Sequence, residues 1–158
     1  MNGFQRDPRF VDAANDDYTP TSAAINDQGE SLAEVPNDFF GVARTSTPDP
    51  GAIEFTPAAD DAATIELLNP SAPFAPGNYP IEVVIQNLGI ANLTDVNIYV
   101  NINDGVTDTT LPVFVHSPIL LNSLDRDTVT IGSYDFTSQS YTVTIFTSDP
   151  NGGTDANT

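Results

Sequence analysis

Between Val96 and Asn103 the chain alternates without exception: Val96, Ile98, Val100 and Ile102 are separated by Asn97, Tyr99, Asn101 and Asn103. A helix cannot gather these aliphatics on one face. A strand does, with one face in a core and the other in water. An earlier run, residues 79–87, keeps Ile81, Val83 and Ile85 on one face and Glu82 and Gln86 on the other, with Val84 interrupting the polar side. Joined by a turn around Gly89, the two runs read as the central pair of an antiparallel β-sandwich. A slip of one residue would turn all their inward aliphatics to solvent, so the register is strongly specified.

Further strand signals flank this pair. Residues 64–68 place Ile65 and Leu67 inward, and a proline-rich crossing anchored by Phe74 follows. Asn103-Asp104-Gly105 supplies hairpin-turn chemistry, because Asp and Gly tolerate positive φ. A return strand over 109–115 contains Pro112, which confines it to an edge or a bulge. Residues 119–121 cross, residues 127–131 resume alternation to end at Tyr134-Asp135-Phe136, and residues 141–146 form a last strand with Tyr141, Val143 and Ile145 inward. Spacing, alternation and turn chemistry predict an all-β fold, an immunoglobulin-like antiparallel sandwich of about six or seven strands over residues 58–158.

Charge narrows the function. The chain of 158 residues has 22 acidic side chains against four arginines and no lysine, a formal net charge of −18. Nucleic-acid binding needs a basic face to neutralise phosphates, and none can be built. Anionic membrane surfaces repel such a chain, and no apolar run approaches the roughly 18 residues that span a bilayer. Cysteine is absent, which excludes disulfides and thiol chemistry. No charged start is followed by an apolar segment, which leaves a cytosolic protein or an internal piece of a longer one. The internal piece is the expectation adopted.

Residues 1–57 lack sustained periodicity and are punctuated by turn signals such as Asp7-Pro8, Thr19-Pro20 and Asp49-Pro50-Gly51. Alone, such a segment is expected to be turn-rich and poorly ordered. The series Asp7-Pro8-Arg9-Phe10-Val11-Asp12, Asp17-Tyr18, Ser22-Ala23-Ala24-Ile25-Asn26, Phe40-Gly41, Arg44 and Ala52-Ile53-Glu54-Phe55 resembles the closing segment of a bacterial right-handed parallel β-helix of the pectate-lyase-like kind. It departs from that pattern at residues 21–26, where Pro and Asp are usual, and at 50–54. The resemblance implies that further coils stack upstream of this segment.

A second resemblance covers residues 60–158. Ala75-Pro76-Gly77-Asn78-Tyr79 leading through Val83, Ile85, Asn87 and Gly89, then Asp95-Val96 with Ile98 and Val100, then residues 141–145 with the loop from Pro150 to Asp155, is similar to the CARDB type of cell-adhesion-related, immunoglobulin-like bacterial surface module. That resemblance implies a final strand after the loop.

Candidate chemistry is sparse. In the loop Asp149-Pro150-Asn151-Gly152-Gly153-Thr154-Asp155, the oxygens of Asp149, Asn151 and Asp155 at short odd spacing, with glycines allowing a sharp turn, are what calcium requires. The plainer reading is an inter-strand loop, and no other cofactor is expected. Asn103-Asp104-Gly105 with Asp108 is a weaker calcium candidate, since hairpin turns select the same residues. His116 is the single histidine; without a second or a cysteine it completes neither a zinc site nor a nucleophile–base pair, and it reads as a loop residue. Asp16-Asp17 and Asp60-Asp61 are adjacent pairs, not carboxylates facing across a cleft as glycoside hydrolysis requires. No enzyme is expected. Tyr99 and Phe146 project from polar strand faces and could stack on sugars.

These readings converge on a non-catalytic spacer or adhesion module of a large secreted or cell-surface bacterial protein. It would present strands and loops to glycans or proteins and join neighbouring domains of the same long chain. Two alternatives stand beside it: the accessory C-terminal part of a β-helix polysaccharide-degrading enzyme, and an extracellular subunit that assembles head to tail, a neighbour's strand completing it.

Overall fold

The four aliphatics of the alternating run, and the three of the run before it, are each no more than 1 % exposed. A computed structural model describes residues 6–137 and 140–156. Among the described residues nine strands form: β1 (Phe10–Asp12), β2 (Asp17–Pro20), β3 (Ala62–Asn69), β4 (Gly77–Asn87), β5 (Val96–Asn103), β6 (Asp108–Thr110), β7 (Phe114–His116), β8 (Arg126–Phe136) and β9 (Thr142–Ser148). The helical elements among them are two single 3-10 turns, Ala13–Asn15 and Pro150–Gly152. The fold is all-β, with antiparallel pairing throughout. The chain divides into two compact units, Met1–Ala58 and Ala59–Thr158.

In the first unit β1 and β2 pair, with Phe10 edge-on to Tyr18 at 5.6 Å. The remainder has almost no ladder, so its backbone donors need other partners. Two buried carboxylates supply them. Asp38 accepts the N–H groups of Phe40, Val42 and Glu54 at 2.8, 2.7 and 3.0 Å. Asp49 accepts those of Asp27 and Phe55, both at 2.7 Å. The Arg44 guanidinium donates to the carbonyls of Asp49 and Gly51 and pairs with the Glu54 carboxylate. Gly29 fits where the backbone of Pro48 approaches closely; an added Cβ would lie 2.7 Å from its carbonyl oxygen.

The second unit holds two sheets. One has the order β3-β4-β8; in the other, β5 pairs with β6 and β7 along one side and with β9 along the other. The inward side chains of both sheets join in a single buried cluster, including Ile81, Val83 and Ile85 of β4, Val96 to Ile102 of β5, and Val129, Ile131 and Phe136 of β8. Each fully buried aliphatic contributes roughly 1.5–3 kcal/mol of gross burial energy, much of it cancelled by chain ordering.

The two alternating runs are not partners. β4 lies between β3 and β8, while β5 belongs to the other sheet, so the runs face each other across the core. The cause is the segment after β4. The N–H groups of Leu88 and Gly89 both bond to the Asp61 carbonyl, and Leu93 bridges to Leu121, which carries the chain across instead of back. Gly89 is required there, since a Cβ would meet the Ala59 carbonyl oxygen at 2.2 Å.

Pro112 divides the strand expected over 109–115. Having no N–H, it cannot continue a ladder; β6 pairs with Asn101–Asn103 and β7 with Val96–Ile98, with Leu111-Pro112-Val113 between them. β8 is one strand that ends at Phe136, as expected from the sequence. A bulge leaves Ile131 opposite no residue of β4, so the inward parity changes from Val129 and Ile131 to Tyr134 and Phe136. Phe74 is an anchor as anticipated, with its ring 5.3 Å from Tyr79 and 5.0 Å from Phe136.

Candidate functional site

Every other side chain of β5 and β9 points away from the core, and the register sets them in rungs: Asn97 beside Ser148, Tyr99 beside Phe146, Asn101 beside Thr144, Asn103 beside Thr142. All eight are uncharged. In a chain of net charge −18 that is an unusual stretch of surface. At its centre the rings of Tyr99 and Phe146 stack, with centroids 5.0 Å apart and planes 3° from parallel. The two aromatics singled out separately in the sequence are thus one feature, and Phe146 is 48 % exposed.

The amides around this rung are held by neighbours. Asn97 Nδ2 donates to Asp149 Oδ2 at 3.0 Å, Asn101 Nδ2 to Thr110 Oγ1 at 3.3 Å, and Asn103 Nδ2 to Asp108 Oδ1 at 2.8 Å. Val115 of β7, exposed and opposite Asn97, extends the apolar area beyond β5. Sequence reading missed Val115, because its strand was expected to run through Pro112. An apolar rung bordered by amides and hydroxyls can take the C–H face of a sugar ring on the aromatics and its hydroxyls on the polar groups.

Comparison with protein-family models, with curated proteins and with solved structures finds no match.

The chemistry of the face therefore rests on its own residues, and so does that of the loop proposed for calcium. Asp149, at a left-handed φ of 53°, turns its carboxylate to Asn97. Asn151, also at φ 53°, is a clamp: its Oδ1 accepts from the N–H and hydroxyl of Thr94 at 2.7 and 2.9 Å, and its Nδ2 donates to the Asn92 carbonyl and the Asp60 carboxylate. Asp155 is buried, with Oδ1 3.4 Å from the Ala62 N–H. The three side chains thus each have their own protein partners. Among the described residues no three His, Cys, Asp or Glu side chains gather as a metal site. Asp104 Oδ1 accepts the N–H groups of Val106 and Thr107, the usual work of a turn carboxylate.

His116 lies in β7 rather than in a loop, with Nε2 2.8 Å from Asp127 Oδ2 of β8, so it links the two sheets. The adjacent acidic pairs are engaged within their own units. Asp17 accepts the Thr19 N–H at 3.0 Å, and its carboxyl is held below the usual range by the side chain and backbone of Thr19. Asp60 is taken up by Asn151.

Proposed function

We propose that this chain is a non-catalytic spacer and adhesion module of a large secreted or cell-surface bacterial protein. In this reading residues 59–158 are an immunoglobulin-like sandwich of CARDB type, following the closing segment of a β-helix. The outer face of β5 and β9 is the surface it presents to glycans.

One observation carries the glycan reading: eight consecutive outward positions without a charge, centred on the stacked Tyr99–Phe146 pair, in a strongly acidic chain. A solvated face under no demand would share the acidity of the rest. Neutral sugars are the ligand class that fits, because anionic glycans are repelled by the surrounding carboxylates.

The test is a glycan array probed with the parent protein and with Tyr99→Ala and Phe146→Ala. Binding to neutral glycans, lost in both variants while their melting curves remain cooperative, supports the reading. Binding that survives both substitutions, or an array without signal, removes it.

A further inference from the structure

The uncharged face of β5 and β9 is bounded at both ends by carboxylates, each bonded to an amide of the face itself. At the start of β5, Asp149 Oδ2 accepts from Asn97 Nδ2 at 3.0 Å. At its end, Asp108 Oδ1 accepts from Asn103 Nδ2 at 2.8 Å. Both aspartates are exposed. Two nearby acids are occupied locally instead: Asp95 Oδ2 accepts the Thr94 hydroxyl at 3.1 Å, and Asp104 Oδ1 accepts two N–H groups of its own turn. The residue steps from Asn97 to Asn103, at about 3.3 Å each, give a neutral track of about 20 Å between the two charges.

Along that track lie hydrogen-bond donors and one apolar rung. Asn97, Asn101 and Asn103 each commit one side-chain N–H to a neighbour and retain the second. Thr110 and Thr144, both exposed, flank Asn101, one rung from the stacked Tyr99–Phe146 pair. Recognition on this surface runs through side chains alone, because the face of a sheet, unlike its edge, presents no main-chain N–H or C=O groups. Donors repeated along a narrow track suit a ligand with acceptor oxygens repeated along a chain. A linear oligosaccharide has them in its ring and hydroxyl oxygens, whereas a single sugar fills only part of the track.

We infer that the ligand is a linear neutral oligosaccharide lying along β5, with Tyr99 and Phe146 under its middle, and that Asp108 and Asp149 are the residues that exclude acidic sugars. The inference rests on the glycan reading above and adds the ligand's length, its direction and the source of its selection by charge. Like charges a few ångströms apart repel even in water, and an acidic chain long enough to cover the track meets one carboxylate at each end. Each aspartate thus has two roles: its oxygen holds an amide of the face, and its charge turns away anions. Substitution by asparagine separates the two, since an acceptor oxygen is kept and the charge is lost. Asparagine also tolerates the left-handed φ of 53° at position 149.

The experiment uses the whole chain and linear oligomers of glucose, mannose and galactose, from the single sugar to the hexasaccharide. Each is paired with a counterpart in which the primary hydroxyls are oxidised to carboxylates. Affinity for the neutral series is expected to rise up to about the tetrasaccharide and then level off, as the track of about 20 Å is filled. The parent should prefer a neutral chain over its oxidised counterpart at least about tenfold, less so in high salt, which screens the repulsion. In the double variant Asp108→Asn/Asp149→Asn that preference should fall to about twofold. The control Glu66→Gln/Asp135→Asn removes the same charge from exposed positions on the other sheet and should keep the parent's preference. Should the Asp108/Asp149 variant fail to fold, the two single variants and the salt dependence of the parent decide. An unchanged preference in the variant, an equal fall in the control, or full affinity for the single sugar overturns this inference while leaving the glycan reading in place. Absence of any neutral binding by the parent overturns both.

Discussion

Tyr99 and Phe146 occupy directly opposed positions on β5 and β9, with ring centroids 5.0 Å apart and planes 3° from parallel. Cross-strand partners this close are coupled in stability as well as position. A double-mutant cycle with Tyr99→Ala, Phe146→Ala and the double variant, followed by urea denaturation, is expected to give a coupling of about 0.5–1.5 kcal/mol. Additive losses would mean that the rings are neighbours without being a unit.

Asn87 closes β4 from inside the protein. It is 1 % exposed, its Nδ2 donates to the carbonyls of Ala91 and Leu121 at 2.7 and 2.9 Å, and its Oδ1 accepts the Gly89 N–H at 3.0 Å. Asn87→Ala strips partners from buried groups, and a loss of about 2–4 kcal/mol is expected by chemical denaturation. Asn87→Asp discriminates further. A carboxylate there faces two carbonyl oxygens, while its protonated form regains one donor, so the deficit relative to the parent should narrow as pH falls. A deficit independent of pH would argue against this hydrogen-bond account.

Asn87 also marks where the sequence was legible and where it was not. The burial of Ile81 to Ile85 and of Val96 to Ile102 followed from alternation, because the period of two fixes which face a residue takes. Alternation says nothing about which strand lies alongside. That β4 and β5 sit in separate sheets depends on the crossing held by Asn87, Gly89 and Asp61, contacts between groups distant in the chain. The parity change in β8 was hidden for a similar reason, since a bulge at Ile131 is defined by the partner strand. At the candidate site, Tyr99 and Phe146 could each be read as outward-facing, but their stacking required the register of β9 on β5. In the loop, ligand-like spacing and clamp-like bonding select the same residue types, so only geometry separates them.

Asn151 puts that separation to experiment. Its amide makes side-chain bonds to Thr94, Asn92 and Asp60, which tie the loop after β9 to the segment before β5. Asn151→Ala is expected to cost about 1–3 kcal/mol, equally in excess calcium and in chelator, because its oxygen is already engaged. Thermal melts of the parent and the variant in both conditions measure this. A calcium-dependent rise in melting temperature of the parent, lost in Asp155→Ala, would instead put a cation in the loop.

Acid should loosen the first unit through Asp38. The backbone N–H of Glu54, foremost, holds the Asp38 carboxyl below its ordinary value of 3.8; burial opposes this, and the N–H groups of Val42 and Phe40 and the Arg44 charge add to it. A carboxyl with a lowered folded-state pKa stabilises the fold above its unfolded value, and that contribution is lost as pH falls through the lower folded value. Resistance of residues 38–55 to an acid-active protease is therefore expected to decline as pH falls below 3.8. Asp38→Asn keeps one acceptor oxygen but turns an amide donor toward backbone donors, so the variant should be more susceptible than the parent at neutral pH. Its further decline in acid should be shallower, the remaining slope coming from other carboxylates such as Asp17, whose value is lowered as well. Identical acid profiles for parent and variant would show that Asp38 does not hold this segment together.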